Sequence, residues 1–224
     1  MPRDQRRRQE KLLKKRRKEK VKKKRTHVSG AGGMDRTLLR SARKYPILEC
    51  FLNENWREDL IARIVVARAQ TEHLVLYGVY LVDLGCLGVK DAFWRGNATH
   101  SDYAEFKDRF RRSNQGFTTC SSSLAHQIIY GARDYAKAIG FEPHRDFAQA
   151  QLVLEPRDAI TFDAHIEFGK DGKPFYVSGP HDNVNRIMNH LEKTLGPGNY
   201  HFLAHVMTGE LETGMDDELG SASG

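Results

Sequence analysis

The apolar run Leu74–Val82 constrains the fold of this chain more than any other segment. Its length and its β-branched and aromatic side chains are typical of a buried strand. The run ends in Asp83–Asp91, a polar segment with two glycines that we predict to be a loop. Because strand ends present polar groups on a rigid scaffold, Asp83, Cys86 and Lys90 are candidate site residues.

A second strand-forming segment, Leu60–Ala69, precedes this run, and only the polar residues 70–73 separate the two. The short polar break predicts an antiparallel hairpin, with Ile47–Leu52 as a third strand. Farther along, apolar and polar residues alternate on either side of an Asp-Gly pair. We therefore predict a second hairpin over Asp163–Val177.

Segments with helical periodicity lie around and between these strands. The predicted helices are Asp35–Lys44, Ser101–Asn114, Leu124–Ile139, Asp146–Leu154 and a helix from Asp182 or Asn183 to Leu195, and Tyr200–Val206 is a last strand. Strands that arrive in hairpins, with helices grouped between them, predict an α+β fold. We expect an antiparallel or mixed sheet built from two hairpins and packed with helices.

The positive charge of the chain is concentrated at one end. The net charge is +7, yet residues 1–25 contain 15 Lys or Arg against 3 acids, a net of +12. The 21 basic and 26 acidic residues that remain give the other 199 residues a net charge of −5. We divide the chain into a basic arm and Gly/Ser linker (1–33), one α+β domain (34–208) and an acidic flexible tail (209–224).

The basic arm contains almost nothing that a core could bury, so we expect it to be disordered or a fluctuating helix. Such an arm neutralises phosphates and releases counterions, which predicts salt-sensitive binding to nucleic acid with little sequence preference. The alternative is a solvated tail that aids solubility. The candidate nucleic-acid-binding residues are Arg6, Arg7, Arg8, Lys14, Lys15, Arg16, Arg17, Lys22, Lys23, Lys24 and Arg25.

The loop predicted at Asp83–Asp91 offers two kinds of chemistry. Its glycines could point N–H groups at an anion near Lys90, although the spacing is not that of a phosphate-binding loop motif. Cys86 could be a nucleophile, but only with a lowered pKa. His144 lies two residues before Asp146, which could orient its imidazole as a general base. The simpler interpretations are a tight turn for the segment with the glycines, a packed thiol for Cys86, and local capping for His144 and Asp146.

A metal site can be drawn on the second predicted hairpin. Asp163, His165 and Glu167 occupy alternate positions, so one strand would place all three on the same face. Their oxygen and nitrogen donors suit a divalent metal, and Asp83 could complete a phosphoesterase-like centre. The solvated face of a half-exposed sheet would show the same pattern.

The three cysteines lie more than thirty residues apart without the spacing of a zinc module, and free thiols suit a reducing compartment. The sequence has neither a long apolar run nor the apolar segment of a secretory signal. We therefore expect a cytoplasmic location and no membrane partner.

Four segments resemble those of a bacterial family of uncharacterised proteins: 82–91, 129–132, 140–147 and 168–174. The resemblance covers most of Tyr45–Phe202. It implies a bacterial cytosolic protein and supplies neither an activity nor functional residues.

Three functions are consistent with these features. The first is an RNA- or ribosome-associated binding protein anchored by its arm, with a body of unknown role. The second is a metal-dependent nuclease or phosphoesterase, which alone would require a divalent cofactor. The third is a protein-interaction module in which the arm is incidental. Because no catalytic motif is complete, we expect binding rather than catalysis, with no cofactor assigned.

Overall fold

The structure is a computed structural model that describes residues 34–114, 116–180 and 182–204. The predicted basic arm and acidic tail lie outside these residues. The helices are α1 (Met34–Arg40), α2 (His100–Ser113), α3 (Ser122–Ala138), α4 (Phe147–Ala150) and α5 (Val184–Leu195), with short 3-10 turns at Ala42–Lys44, Gln151–Val153 and Arg157–Ala159.

An antiparallel five-stranded sheet forms the centre of the fold, which confirms the α+β prediction. Its spatial order is β4-β3-β2-β1-β5, and every neighbouring pair is antiparallel. The strands are β1 (Ile47–Leu52), β2 (Ile61–Ala69), β3 (Leu74–Asp83), β4 (Gly88–Thr99) and β5 (Thr118–Cys120). The predicted β2–β3 hairpin is confirmed, and Ile47–Leu52 joins it as expected.

Helices cover both faces of the sheet. Successive side chains of a strand point in opposite directions, so each face has apolar side chains that a helix can bury. On one face, Ile64, Val66 and Tyr80 of the strands pack with Ile128 and Ile129 of α3. On the other face, a smaller cluster forms from Phe51, Val65, Tyr77, Tyr103 and Phe110, the last two on α2. The central strands are therefore buried on both sides, which is why their apolar patterns are nearly continuous.

The prediction of a polar loop over Asp83–Asp91 is mostly wrong. Only Leu84–Leu87 turn, and the chain then continues as β4, which pairs with β3 from Gly88 to Thr99. Strands β1 to β4 thus form an antiparallel meander in which β3 belongs to two hairpins, and β5 pairs with the other side of β1. Since β4 lies at an edge of the sheet, it tolerates polar residues. These polar residues are the reason that the sequence predicts a loop here.

The second hairpin, predicted over Asp163–Val177, does not form. Lys170 and Lys173 make only an isolated antiparallel bridge, and β6 (Phe175–Val177) pairs in parallel with β7 (His201–Leu203). The backbone instead docks on the β3–β4 turn, where Gly169 N donates to Leu84 O and Phe175 N donates to Gly85 O, both at 2.8 Å. A side chain at Gly85 would collide with the Phe175 carbonyl, so this contact requires glycine.

Helix α5 packs beside the same turn through a third apolar cluster. Cys86, Ile139, Tyr176 and Leu191 are its buried members. The side chain of Asn183 caps α5 by accepting a hydrogen bond from Arg186 N at 3.1 Å. This packing leaves an open groove between α5, the start of β4 and the loop that follows α3.

Candidate functional site

The groove has a volume of about 910 Å³ and is the best candidate site among the described residues. Three segments line it: residues 87–90, residues 140–144, and one face of α5 with the residues just before it. Its charged side chains are Lys90, Glu142, Asp182, Arg186 and Lys193. Three cations against two anions give the groove a local positive excess, whereas residues 26–224 together are negative.

Lys90, predicted as a loop residue, belongs to β4 and stabilises one wall of the groove. Its Nζ lies 2.9 Å from Asp182 Oδ2, and both side chains are largely buried. Asp182 Oδ2 also accepts hydrogen bonds from Gly179 N at 2.9 Å and from the Tyr176 hydroxyl at 3.3 Å. Burial alone would raise the pKa of Asp182, but the hydrogen bonds from Lys90 and Gly179 outweigh it and hold that pKa below its usual value.

The opposite wall is a face of α5 with three cationic or aromatic side chains. Arg186, His190 and Lys193 lie at positions i, i+4 and i+7 and therefore share one side of the helix. Arg186 and Lys193 are exposed, and neither has an ion-pair partner within the described part of the chain. The His190 ring lies 4.5 Å from the ring of Phe141, and its Nε2 is 2.9 Å from Ile139 O.

At the rim of the groove, His144 lies between two carboxylates. Its Nδ1 is 3.4 Å from Asp91 Oδ1 and 3.8 Å from Asp146 Oδ2. The backbone contact of His144 N with Val89 O, at 2.9 Å, holds this loop against the edge of β4. Among residues 34–114, 116–180 and 182–204, these three side chains form a group whose potential metal-ligating atoms all lie within 4.8 Å of one another.

Asp83, the first predicted site residue, is buried and has a structural role in the turn. Its Oδ1 accepts hydrogen bonds from Gly85 N at 2.8 Å and from Cys86 N at 3.0 Å. Burial raises the pKa of Asp83 to about 6, although these N–H groups and the nearby Lys90 favour the carboxylate. Asp83 is 4% exposed and does not line the groove.

Cys86 is fully buried in the cluster beneath α5. Burial, with the neighbouring Asp83 carboxylate, raises the pKa of its thiol far above the usual value. A thiol that is neutral and inaccessible does not act as a nucleophile. The structure therefore favours the interpretation of Cys86 as a packed side chain.

The metal candidates Asp163, His165 and Glu167 lie on an irregular, exposed segment. Without a strand, the alternation that would place them on one face does not apply. Asp163 is held by Gln127, whose Nε2 donates to Asp163 Oδ1 at 2.7 Å and whose Oε1 accepts from Asp163 N at 3.0 Å. The structure does not bring the three together as a candidate ligand group.

Several residues of the groove were not predicted from the sequence. Arg186, His190 and Lys193 lie in the predicted helix and their spacing was visible, but the segment that faces them was not. Asp91 was assigned to the loop and lies 53 positions from its neighbour His144. The eleven candidate residues of the arm, Arg6 to Arg25, lie outside the described residues.

Comparison with protein-family models, curated proteins and solved structures gives no match to this chain. The family resemblance of the four sequence segments therefore stays a prediction. In the part of the chain that the structure describes, no helix has the length and apolar character needed to cross a membrane.

Proposed function

We propose that this chain is a cytoplasmic RNA-binding protein, free or ribosome-associated, that is anchored by its basic arm. The charge distribution supports this function: the first 25 residues have a net charge of +12 and the rest of the chain a net charge of −5. A body of the opposite sign would be repelled by phosphates, so the arm supplies the attraction. Binding through phosphates positions the protein without reading sequence.

The dependence of affinity on salt tests this proposal. We would replace the eleven candidate basic residues of the arm by Gln in the full chain and measure anisotropy with a labelled single-stranded RNA of mixed sequence. For the wild type, we expect the affinity to fall about a hundredfold between about 50 and 200 mM salt, because counterions compete for the phosphates. The neutralised arm should abolish most of the binding and most of the salt dependence.

A chain with a scrambled arm of unchanged composition is the matched control. It should bind as the wild type does, since the attraction depends on charge and not on order. Equal affinity and equal salt dependence of the wild type and the neutralised chain would contradict the proposal.

A second candidate function is metal-dependent hydrolysis of phosphodiesters, favoured by the group Asp91, His144 and Asp146 at the rim of a groove with basic side chains. One imidazole and two carboxylates suit a divalent metal such as Mn²⁺ or Zn²⁺. A metal there would supply a Lewis acid for water and phosphate. The position differs from the predicted one, since neither Asp83 nor Asp163 belongs to it.

Calorimetric titration of the full chain with Zn²⁺ or Mn²⁺, and an assay of RNA cleavage in the same metal, test this alternative. We expect H144A and D91N each to remove one binding site and the cleavage, because three ligands act together. H165A, which changes an exposed histidine outside the group, is the control and should leave both unchanged. Unchanged stoichiometry and cleavage in H144A would reject the site.

A further inference from the structure

Two cations on α5, Arg186 and Lys193, outnumber the exposed Glu142 in the lining of the groove and leave it with a net positive charge. Asp182 neutralises Lys90, whereas Arg186 and Lys193 have no ionic partner within residues 34–114, 116–180 and 182–204. They lie seven positions apart, which is about 10 Å along the helix. Two cations at this spacing can contact separate phosphates of one strand, and Arg186 can contact a phosphate with two parallel hydrogen bonds.

The aromatic pair between these cations gives the groove a surface for a base. The Phe141 and His190 rings lie 4.5 Å apart, and both line the groove next to Arg186 and Lys193. Phe141 is half-buried, so part of its ring faces the open space. Cations that follow a backbone and aromatic rings that stack on bases are the two elements by which proteins bind single strands.

Stacking on Phe141 would favour a single strand over a duplex. Its volume of about 910 Å³ is in the range of pockets that enclose small ligands. A base reaches Phe141 only when it is unstacked and unpaired, as in loops and single strands. The Lys90–Asp182 pair, with the Tyr176 hydroxyl donating to Asp182, supports this wall of the groove.

We infer that this groove is a second RNA-contact surface, on which Arg186 and Lys193 bind the phosphates of a single strand and Phe141 with His190 stacks a base. The inference rests on the proposed function and adds a position and a strand preference to it. The arm supplies attraction without selectivity, whereas the groove selects unpaired RNA.

Anisotropy titrations of the full chain with a single-stranded RNA of about 12 nucleotides test the inference. We expect R186Q/K193Q to weaken binding about tenfold and to reduce the slope of log affinity against log salt by about 1.4, since each lost phosphate contact removes about 0.7. F141L should weaken binding about fivefold or more without changing the slope, because stacking involves no counterion.

R111Q/R112Q is the charge-matched control, because it removes two exposed positive charges from α2, on the other face of the sheet. Arg111 also packs over the Phe117 ring at 4.9 Å, so the thermal unfolding of this variant is compared with that of the wild type. It should bind within about twofold of the wild type, since the charge that it removes lies away from the groove. Duplex RNA should bind the wild type and F141L equally. The Arg and Lys residues are exposed, so the double variant should fold, and its thermal unfolding checks this.

The outcomes separate the groove from the arm. If the wild type binds through its arm while R186Q/K193Q and F141L bind single strands as the wild type does, the groove inference is overturned and the proposed function stands. If the groove variants lose binding but neutralisation of the arm has no effect, the groove is supported and the arm is not. An absence of binding by the wild type overturns both.

Discussion

Asp83 illustrates how a polar residue at the end of a strand can have a structural role. Its carboxylate accepts two backbone N–H groups that the β3–β4 turn would otherwise leave unpaired. Burial opposes its ionisation, so hydrogen bonding and desolvation act against each other. The residue contributes to the shape of the turn on which α5 and Gly169–Phe175 pack.

The raised pKa of Asp83 predicts a definite dependence of stability on pH. Its pKa is about 6 in the folded protein, against 3.8 as the ordinary value, so between these pH values the native state holds more protons than the unfolded state. The free energy of unfolding therefore decreases as the pH rises from about 4 to 6, by about 3 kcal/mol from this group. D83N keeps the amide oxygen as acceptor and cannot ionise. Between pH 4 and pH 7, the free energy of unfolding of D83N, measured by urea denaturation, should therefore increase by about 3 kcal/mol relative to that of the wild type.

When the wild type and D83N are compared at the same pH, the contributions of the other titrating groups to the free energy of unfolding cancel. Burial lowers the pKa of His126, so the contribution of this residue is present above about pH 6.5 and is lost as the pH falls. That trend has the opposite sign to the one from Asp83, and it is common to the wild type and D83N. A stability difference that does not change with pH would show that Asp83 does not titrate as expected.

At the scale of elements, local patterns predicted the strands and helices that have a strong apolar period. β2, β3 and α3 were all predicted, and their bounds differ from those observed by one or two residues. In each, the apolar residues are the ones that the core buries. An apolar period reflects only which side of a strand or helix is buried. It can therefore be recognised without knowing which other element covers that side.

The strand β4 and the parallel pairing of β6 with β7 could not be predicted, because both depend on distant partners. The polar residues of β4, such as Lys90 and Asn97, are tolerated at an edge, and nothing local distinguishes them from a loop. The hairpin expected near Asp171 is replaced by parallel pairing of β6 with β7, which requires α5 between them. Alternating polarity predicted a strand there, whereas the backbone found its hydrogen-bond partners on the β3–β4 turn.

The composition of the candidate site depends on distant contacts even more than the strands do. The groove combines residues from β4, the loop after α3, and α5, which lie far apart in the sequence. Lys90 and His144 were singled out from the sequence and both line it, whereas Asp83 and Cys86 are buried beside it. A sequence pattern identifies chemically capable side chains, but which of them share a cavity follows only from the tertiary packing.

Positive and negative charges are separated along the chain. The basic arm precedes a body whose excess is acidic, and residues 209–224 add five acids without a single Lys or Arg. For a polyanionic partner, the arm and the groove attract while the acidic segment repels. The rate of association should therefore depend on the balance of these segments and on salt.

Neutralising the acidic segment tests this balance. Replacing Glu210, Glu212, Asp216, Asp217 and Glu218 by Gln or Asn removes five negative charges and raises the net charge of the chain from +7 to +12. We expect the association rate with single-stranded RNA, measured by stopped flow at low salt, to increase several-fold, because long-range repulsion slows the encounter. The dissociation rate should change little, since it depends on the short-range contacts that we propose for the arm and groove. High salt should remove the difference between the two proteins, because screening acts within about 10 Å at 0.1 M. An association rate that does not change at low salt would show that the acidic segment does not oppose RNA binding.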